Sequence, residues 1–332
     1  MPEDESRVRI IIVDDCSDYT EHIDALAARS TCISIMRREQ HTDYADAFRA
    51  MFRAGSDSEW VWTFGDDDLL RPNALSFMLE RLEHEKHDFI HIAEVARASG
   101  ANNIYSASSL FDLCNTFGWI EMTGFITGNI TRGELLWKAS FSDHWKQYAK
   151  CAFVQSCALL EVLHDRPSEF IDIPLITSQE KDQTDATMQT WKDQNIAGRY
   201  LYVVDALELM YEHGIMTKKC DKKFFRYLVY HLWDRFLTNF LLDYLNHKAL
   251  WSDEAWSRVQ RFIPFIADKD EAQKLAADIT AARGMAMLAL YLGQNLDGLH
   301  DELKSIFTRR NDAVYPYTFV PAATTLTQPQ AA

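Results

Sequence analysis

WVWTFGDDDLLRPN, residues 60–73, changes character at a single glycine. Five aromatic, branched or hydroxyl-bearing residues suited to a strand run into Gly65, and Asp66, Asp67 and Asp68 follow at once. Arg71, Pro72 and Asn73 then lead into a helical pattern, with Pro72 expected in the first helical turn. Three adjacent carboxylates at the end of a buried strand are costly unless something neutralises them. A divalent cation does this, and hard oxygen donors suit Mg²⁺ or Mn²⁺ with phosphate oxygens in the same shell. The plainer alternative is that acidic residues cap helices and start turns.

Working outward, strand and helix signals alternate over the first hundred or so residues, as in an α/β sheet. VRIIIV (8–13) reads as a strand covered on both faces and stops at Asp14 and Asp15. Helices are expected over 19–29, 42–54 and 72–85, and strands over 32–36, 60–64 and 88–95. Ligands of open α/β sheets bind beyond the carboxyl ends of the strands. Parallel neighbouring strands would therefore bring Asp14–Asp15 and Asp66–Asp68 to one rim. Downstream, a mixed segment (117–137) carries four glycines. A helix is expected over 143–163, and FIDIPLIT (170–177) is read as a late edge strand because Pro174 lacks a ladder donor. From about 191 the pattern is helical, with helices near 222–248, 252–266, 271–293 and 296–309 and a disordered tail at 316–332.

The formal net charge of −15 repels phosphates and excludes a general nucleic-acid binder. A nucleotide held through a metal is still compatible, because the ion reverses the local charge. Six scattered cysteines without a C-x-x-C pair fit reduced thiols in a cytosolic protein, not a disulfide frame or a zinc site. The acidic start MPEDESRVR is no signal peptide, and no apolar run reaches the length of a membrane span.

IIIVDDCSDYT (10–20) resembles the "VDDGSTDGT" element of family 2 glycosyltransferases with the GT-A fold. GDDDLLRPNAL (65–75) resembles their metal motif, with a proline shortly after the last Asp. The resemblance is specific over about residues 8–80, and GNITRGELLW (128–137) is similar to the bacterial branch that builds O-antigen and capsule sugars. It implies a GT-A (Rossmann-like) mixed sheet flanked by helices, followed by an all-helical C-terminal region. The expected domains are a catalytic domain over 1–190 and a helical domain over 191–315. The resemblance further implies that Asp14, Asp15 and Asp66 contact a nucleoside-diphosphate sugar, and that Asp67 and Asp68 bind Mn²⁺ or Mg²⁺. The sugar would pass by direct displacement to a hydroxyl of a glycan or lipid-linked glycan acceptor.

The family's usual first strand, ending in a "PTYN"-like loop, has no match before Val8, so an exposed sheet edge is expected. Gly65 stands at the family's first acidic metal position. The family's carboxylate base is assigned to Asp143, with His144, Gln155 and Glu161 nearby and the reading of Asp143 as a helix N-terminal residue left open. Arg37 and Arg38 either meet a diphosphate or are solvated. Gly124, Gly128 and Asn129 either line an acceptor site or form a turn. His91 is read as a satisfied sheet histidine. A cytoplasmic protein is expected, at or near the inner face of the membrane, with an oligomer contact through the helical region. Two alternatives stand beside this: a non-catalytic GT-A scaffold, and a receiver-type signalling domain suggested by the acidic pair after the first strand.

Overall fold

The computed structural model describes residues 7–95, 98–151, 153–178 and 196–216, with a few single positions beyond. Strand β1 (Ile10–Asp14), helix α1 (Glu21–Ala27) and strand β2 (Ile33–Arg37) start the α/β pattern, with β1 and β2 paired in parallel. Helix α2 (Tyr44–Ala54) follows, capped by the Asp43 side chain, which accepts from the Asp46 amide at 2.8 Å. Its Ala45, Phe48 and Phe52 are buried, and Phe52 meets Trp145 edge-on.

A six-stranded mixed sheet carries the rest. Its strands are β3 (Trp60–Trp62), β4 (Asp68–Leu70), β5 (Phe89–Glu94), β6 (Ile104–Ala107), β7 (Asn129–Arg132) and β8 (Ser168–Ser178). The order is β3-β7-β5-β8-β4, with β6 also on β8. β7 is antiparallel to both β3 and β5, while β5 and β8 are parallel. Phe89 and Ala93 of β5 join the larger core cluster, and Ile90 and Ile92 join the smaller one on the opposite face. The helices around this sheet are α3 (Ala74–Leu82), α4 (Leu110–Phe117), α5 (Trp119–Thr123), α6 (Gly133–Ser140), α7 (Trp145–Tyr148), α8 (Val154–Leu163) and α9 (Ile196–Glu212). The antiparallel insertion of β7 rules out the receiver alternative, whose doubly-wound sheet is parallel.

Four expectations need correction. β8 is not an edge strand: β5 lies on one side, and β6 and then β4 on the other. Pro174 is tolerated because it falls between the β6 pairing at 168–171 and the β4 pairing at 176–178, where the β5 register also shifts. The single helix over 143–163 is two helices, α7 and α8, since 148–151 closes into tight turns, with Lys150 and Cys151 donating to Gln147 and Tyr148. Pro72 precedes the helix. Arg71 to Ala74 make a turn with Asn73 in the left-handed region (φ 65°), and α3 starts at Ala74.

The last correction concerns the rim. β1 and β3 are not paired with each other among the described residues: β1 pairs with β2, and β3 with β7. The Ile10 amide bonds Cys32 and the Asp14 carbonyl bonds Arg38, so the backbones of Ile11 and Val13 point away from β2. By the same alternation, Trp60 and Trp62 turn their backbones away from β7. Among the described residues the expected exposed sheet edge is thus present, and of β1 only Asp14 is buried. Arg9 ties the start of β1 to Asp57 and Ser58, just ahead of β3. The helices expected at 222–248 and beyond, and the tail, lie outside the described residues.

Candidate active site

The strand β3 ends one residue before Thr63, and the chain then turns through Gly65, Asp66 and Asp67 into β4. Asp66 is exposed, while Asp67 and Asp68 are half-buried. A side chain on Gly65 would crowd its neighbours: its Cβ would sit 3.0 Å from Asp67 Oδ1, 3.1 Å from Asp68 Oδ2 and 3.2 Å from Thr127 Oγ1. Gly65 therefore keeps clear a small hollow around which two carboxylates converge. The donor set there fits a hard divalent cation: oxygen only, from two half-buried carboxylates beside the exposed Asp66.

The turn is held from across the sheet by a single 3₁₀ turn, Ile126–Gly128, that leads into β7. Trp62 Nε1 donates to the Thr127 carbonyl at 2.7 Å and Thr63 Oγ1 to the Ile126 carbonyl at 2.8 Å. The Gly65 amide donates to Thr127 Oγ1 at 2.8 Å, and that hydroxyl donates to Asp68 Oδ2. Gly128 and Asn129 belong to this support. A Cβ on Gly128 would meet His91 Cε1 at 2.7 Å, and Asn129 Oδ1 bonds His91 Nδ1 at 2.9 Å. His91 is the satisfied sheet histidine that its pattern suggested.

The second acidic cluster is built differently. Asp14 is buried, with both oxygens engaged: Ser17 donates its amide to Oδ1 and Arg37 its Nε to Oδ2, each at 2.9 Å. The Arg37 guanidinium, with Ser17, holds this carboxyl down at about 2. Burial pushes the Asp15 carboxyl up, but the Thr42 hydroxyl and amide, with His41 and Arg38, outweigh it and leave the carboxyl below its ordinary value. Thr42 Oγ1 donates to Asp15 Oδ1 at 2.8 Å, and Arg38 Nε lies 3.4 Å from the same oxygen. An open cleft of about 460 Å³ is lined by Arg38, Glu39, Gln40 and Thr42 beside this carboxylate. Arg37 and Arg38 are thus neither free nor merely solvated: each is tied to one aspartate of the pair.

Asp143 sits exposed in the turn between α6 and α7. Of its neighbours, Ser142 donates to Glu161 at 2.6 Å, His144 stacks on His213 at 3.5 Å, and buried Gln155 accepts from the Tyr44 hydroxyl at 3.4 Å. A separate cluster joins Glu85, His87 and Glu169, whose ligand atoms lie within 4.8 Å of one another. Arg81 already lies against it, with Nε donating to Glu169 Oε2 at 2.7 Å, so the cluster carries its own cation. Its geometry is that of a buried ion-pair network more than of a metal site.

Residues 3–145 match the family model described as Glycosyl transferase family 2. This segment is a family 2 glycosyltransferase domain. Among solved structures, residues 1–349 of S. aureus TarS in complex with UDP-GlcNAc align over 87% of this chain and 84% of that one, with 12% identity and a TM-score of 0.54. The same fragment with UDP gives 12% identity over the same shares and a TM-score of 0.56. A further structure of S. aureus TarS, at 11% identity and a TM-score of 0.54, is covered over 50% of its length and covers 86% of this chain. At such identity the likeness is one of fold, and the fold is GT-A. No curated protein matches the sequence significantly. No helix among the described residues is long and apolar enough to cross a membrane.

The acidic residues of this glycosyltransferase domain were visible in the sequence; their supports were not. Thr127 and Thr42 carried no signal, since a lone threonine fits any strand or turn. Only the spacing of Gly124 and Gly128 marked the segment as a turn approaching another element.

Proposed function

We propose that the chain transfers a sugar from a nucleoside-diphosphate sugar to an acceptor hydroxyl, with inversion and with the help of Mn²⁺ or Mg²⁺. The observation that carries this is the convergence of Asp67 and Asp68 on the position a Gly65 side chain would take, beside the exposed Asp66. Asp67 and Asp68 would hold the ion, which neutralises charge on the diphosphate. Asp15, beside the open cleft, would contact the ribose or base, and Asp66 the ribose or sugar. Asp14 would act from inside the fold, fixing the loop and Arg37. UDP is a natural first donor nucleotide to test, because the structural neighbour binds UDP and UDP-GlcNAc.

In the reaction the acceptor oxygen attacks the anomeric carbon, the bond from that carbon to the β-phosphate oxygen breaks, and the nucleoside diphosphate leaves. The hydroxyl proton passes to a carboxylate base, assigned to Asp143. A glycan or lipid-linked glycan acceptor, a role in bacterial surface polysaccharide synthesis, a place at the cytoplasmic face of the membrane and an oligomer through the helical region complete the proposal.

Titration calorimetry with UDP, GDP, CDP and dTDP, each with and without Mn²⁺, tests it. Metal-dependent binding of one of them is expected. Absence of any such binding at millimolar nucleotide sinks the transferase reading. Asp67→Ala should lower turnover by roughly 10²–10³-fold, the equivalent of several kcal/mol of lost charge stabilisation. Asp18→Ala should leave it unchanged. Full activity in Asp143→Asn would remove that residue as base, and tight binding without transfer to any acceptor would favour the scaffold alternative.

A further inference from the structure

We propose that Thr127 is a positioning residue for the metal-binding carboxylates, its hydroxyl clamping the Gly65–Asp68 turn to the opposite strand so that Asp67 and Asp68 face one ion. This rests on the transferase reading above. Thr127 is buried, at 1% exposure, and stands 59 residues along the chain from the carboxylate it bonds. Its single hydroxyl has two partners with opposite roles. The Gly65 amide donates to it, so its own proton is directed to Asp68 Oδ2. That bond fixes the carboxylate's rotation and leaves Oδ1 as its second ligand atom. The threonine backbone is fixed in turn, since Trp62 Nε1 bonds its carbonyl and Thr63 bonds the carbonyls of Ile126 and Asn129. A carboxylate on a short turn would otherwise sample several rotamers, and each rotamer lost on binding weakens the ion's hold. Gly65 completes the device, because any side chain there would fill the space between Thr127 and the two carboxylates.

The test compares Thr127→Val and Thr127→Ser with the wild-type chain, reading Mn²⁺ affinity from the paramagnetic signal of the free ion, with and without UDP, GDP, CDP or dTDP. Valine keeps the shape and removes the hydroxyl, and Mn²⁺ affinity should fall about tenfold or more. In turnover, the Mn²⁺ concentration for half-maximal activity should rise by the same factor, while kcat at saturating Mn²⁺ changes less than about threefold. Serine should restore both values to within about threefold of wild type. In an Asp68→Asn background, Thr127→Val should add less than about twofold, because its partner is already lost. A folded Thr127→Val with unchanged Mn²⁺ affinity overturns the clamp, as do equal losses in serine and valine, or full additivity with Asp68→Asn. If the valine variant does not fold, Thr127→Ala enters the same comparison, with melting temperature confirming its fold. Wild-type protein that binds no Mn²⁺ with any of the four nucleotides overturns the transferase reading and the clamp together. Wild-type binding that Thr127→Val leaves intact overturns the clamp alone.

Discussion

The strands Phe89–Glu94 and Ile10–Asp14 are similarly apolar in sequence and end in opposite surroundings. All six residues of β5 are buried, whereas in β1 only Asp14 is, and Ile10 is 37% exposed. β5 has β7 on one edge and β8 on the other, while β1 has β2 alone among the described residues. An apolar run thus reports a preference for extended backbone, and a second edge partner decides whether that backbone becomes core. The functional halves divide along the same line. The Gly65–Asp68 turn hangs from the thick, six-stranded sheet and is held through the Thr127 hydroxyl, with no basic side chain in those bonds. The Asp14–Asp15 loop hangs from the thin one and is held by charge.

The largest effect that can break this contrast lies in the strands themselves. Ile90→Ala should cost about 3–4 kcal/mol in urea unfolding, as for a well-packed core isoleucine, and Ile12→Ala about 1 kcal/mol. Hydrogen exchange reads the same difference bond by bond. The amides of Ile11 and Val13, which face away from β2, should exchange with little protection while those of β5 exchange only on global unfolding. Equal protection in the two strands would mean that β1 has a partner on its second edge, and the contrast would fail.

The two sheets should also answer pH in opposite directions. On the thin side, Arg37 and Ser17 hold Asp14 below the ordinary carboxylate range. A depressed folded value stabilises above the unfolded value near 4, and that stabilisation is lost as pH falls towards about 2. Arg37→Met should flatten this acid limb, and an unchanged limb would show that the pair adds nothing. On the thick side, the Glu85 carboxylate against the ring raises His87. A raised folded value stabilises fully below the ordinary histidine value near 6.5 and fades as pH climbs through the raised one. His87→Gln should therefore lose stability at pH 6 and little at pH 9, by melting temperature across that range. A loss that is uniform in pH would assign the effect to packing.

The acidic clusters, the alternating elements to residue 95 and the glycine at position 65 were legible because each is a local pattern. What escaped depends on pairings distant in sequence. Pro174 marks an edge only if one partner runs the length of β8; here the strand changes partner from β6 to β4 at the proline itself. Asp14 looked like a ligand group because sequence spacing does not show that Arg37, 23 residues on, fills its oxygens. Thr127 meets Gly65 and Asp68 only once β7 lies against β3, and nothing local to ITGN announces that. The candidate carboxylates could be picked out by residue type, whereas the hydroxyls of Thr42 and Thr127 that bond Asp15 and Asp68 show only in the geometry.

The smallest effect sits where the sequence and the family shape differ by one residue. In the quoted element a glycine follows the two aspartates, and here the position is Cys16, with φ at 68°. A Cβ in that left-handed region costs about 1–2 kcal/mol, and a glycine returns some of this as extra freedom in the unfolded chain, about 0.5–1 kcal/mol. Cys16→Gly should therefore stabilise by roughly 0.5 kcal/mol, a small rise in the urea midpoint at unchanged slope. The thiol opposes this, since Sγ reaches the Glu39 carbonyl at 3.8 Å, a weak contact across the loop. Cys16→Ala separates the two, keeping the strained Cβ and losing the sulfur. If strain dominates, the order of stability is glycine, then cysteine, then alanine. If glycine falls below cysteine, the Glu39 contact outweighs the strain, and the thin sheet depends on a thiol as well as on its charges to hold the Asp15 loop in place.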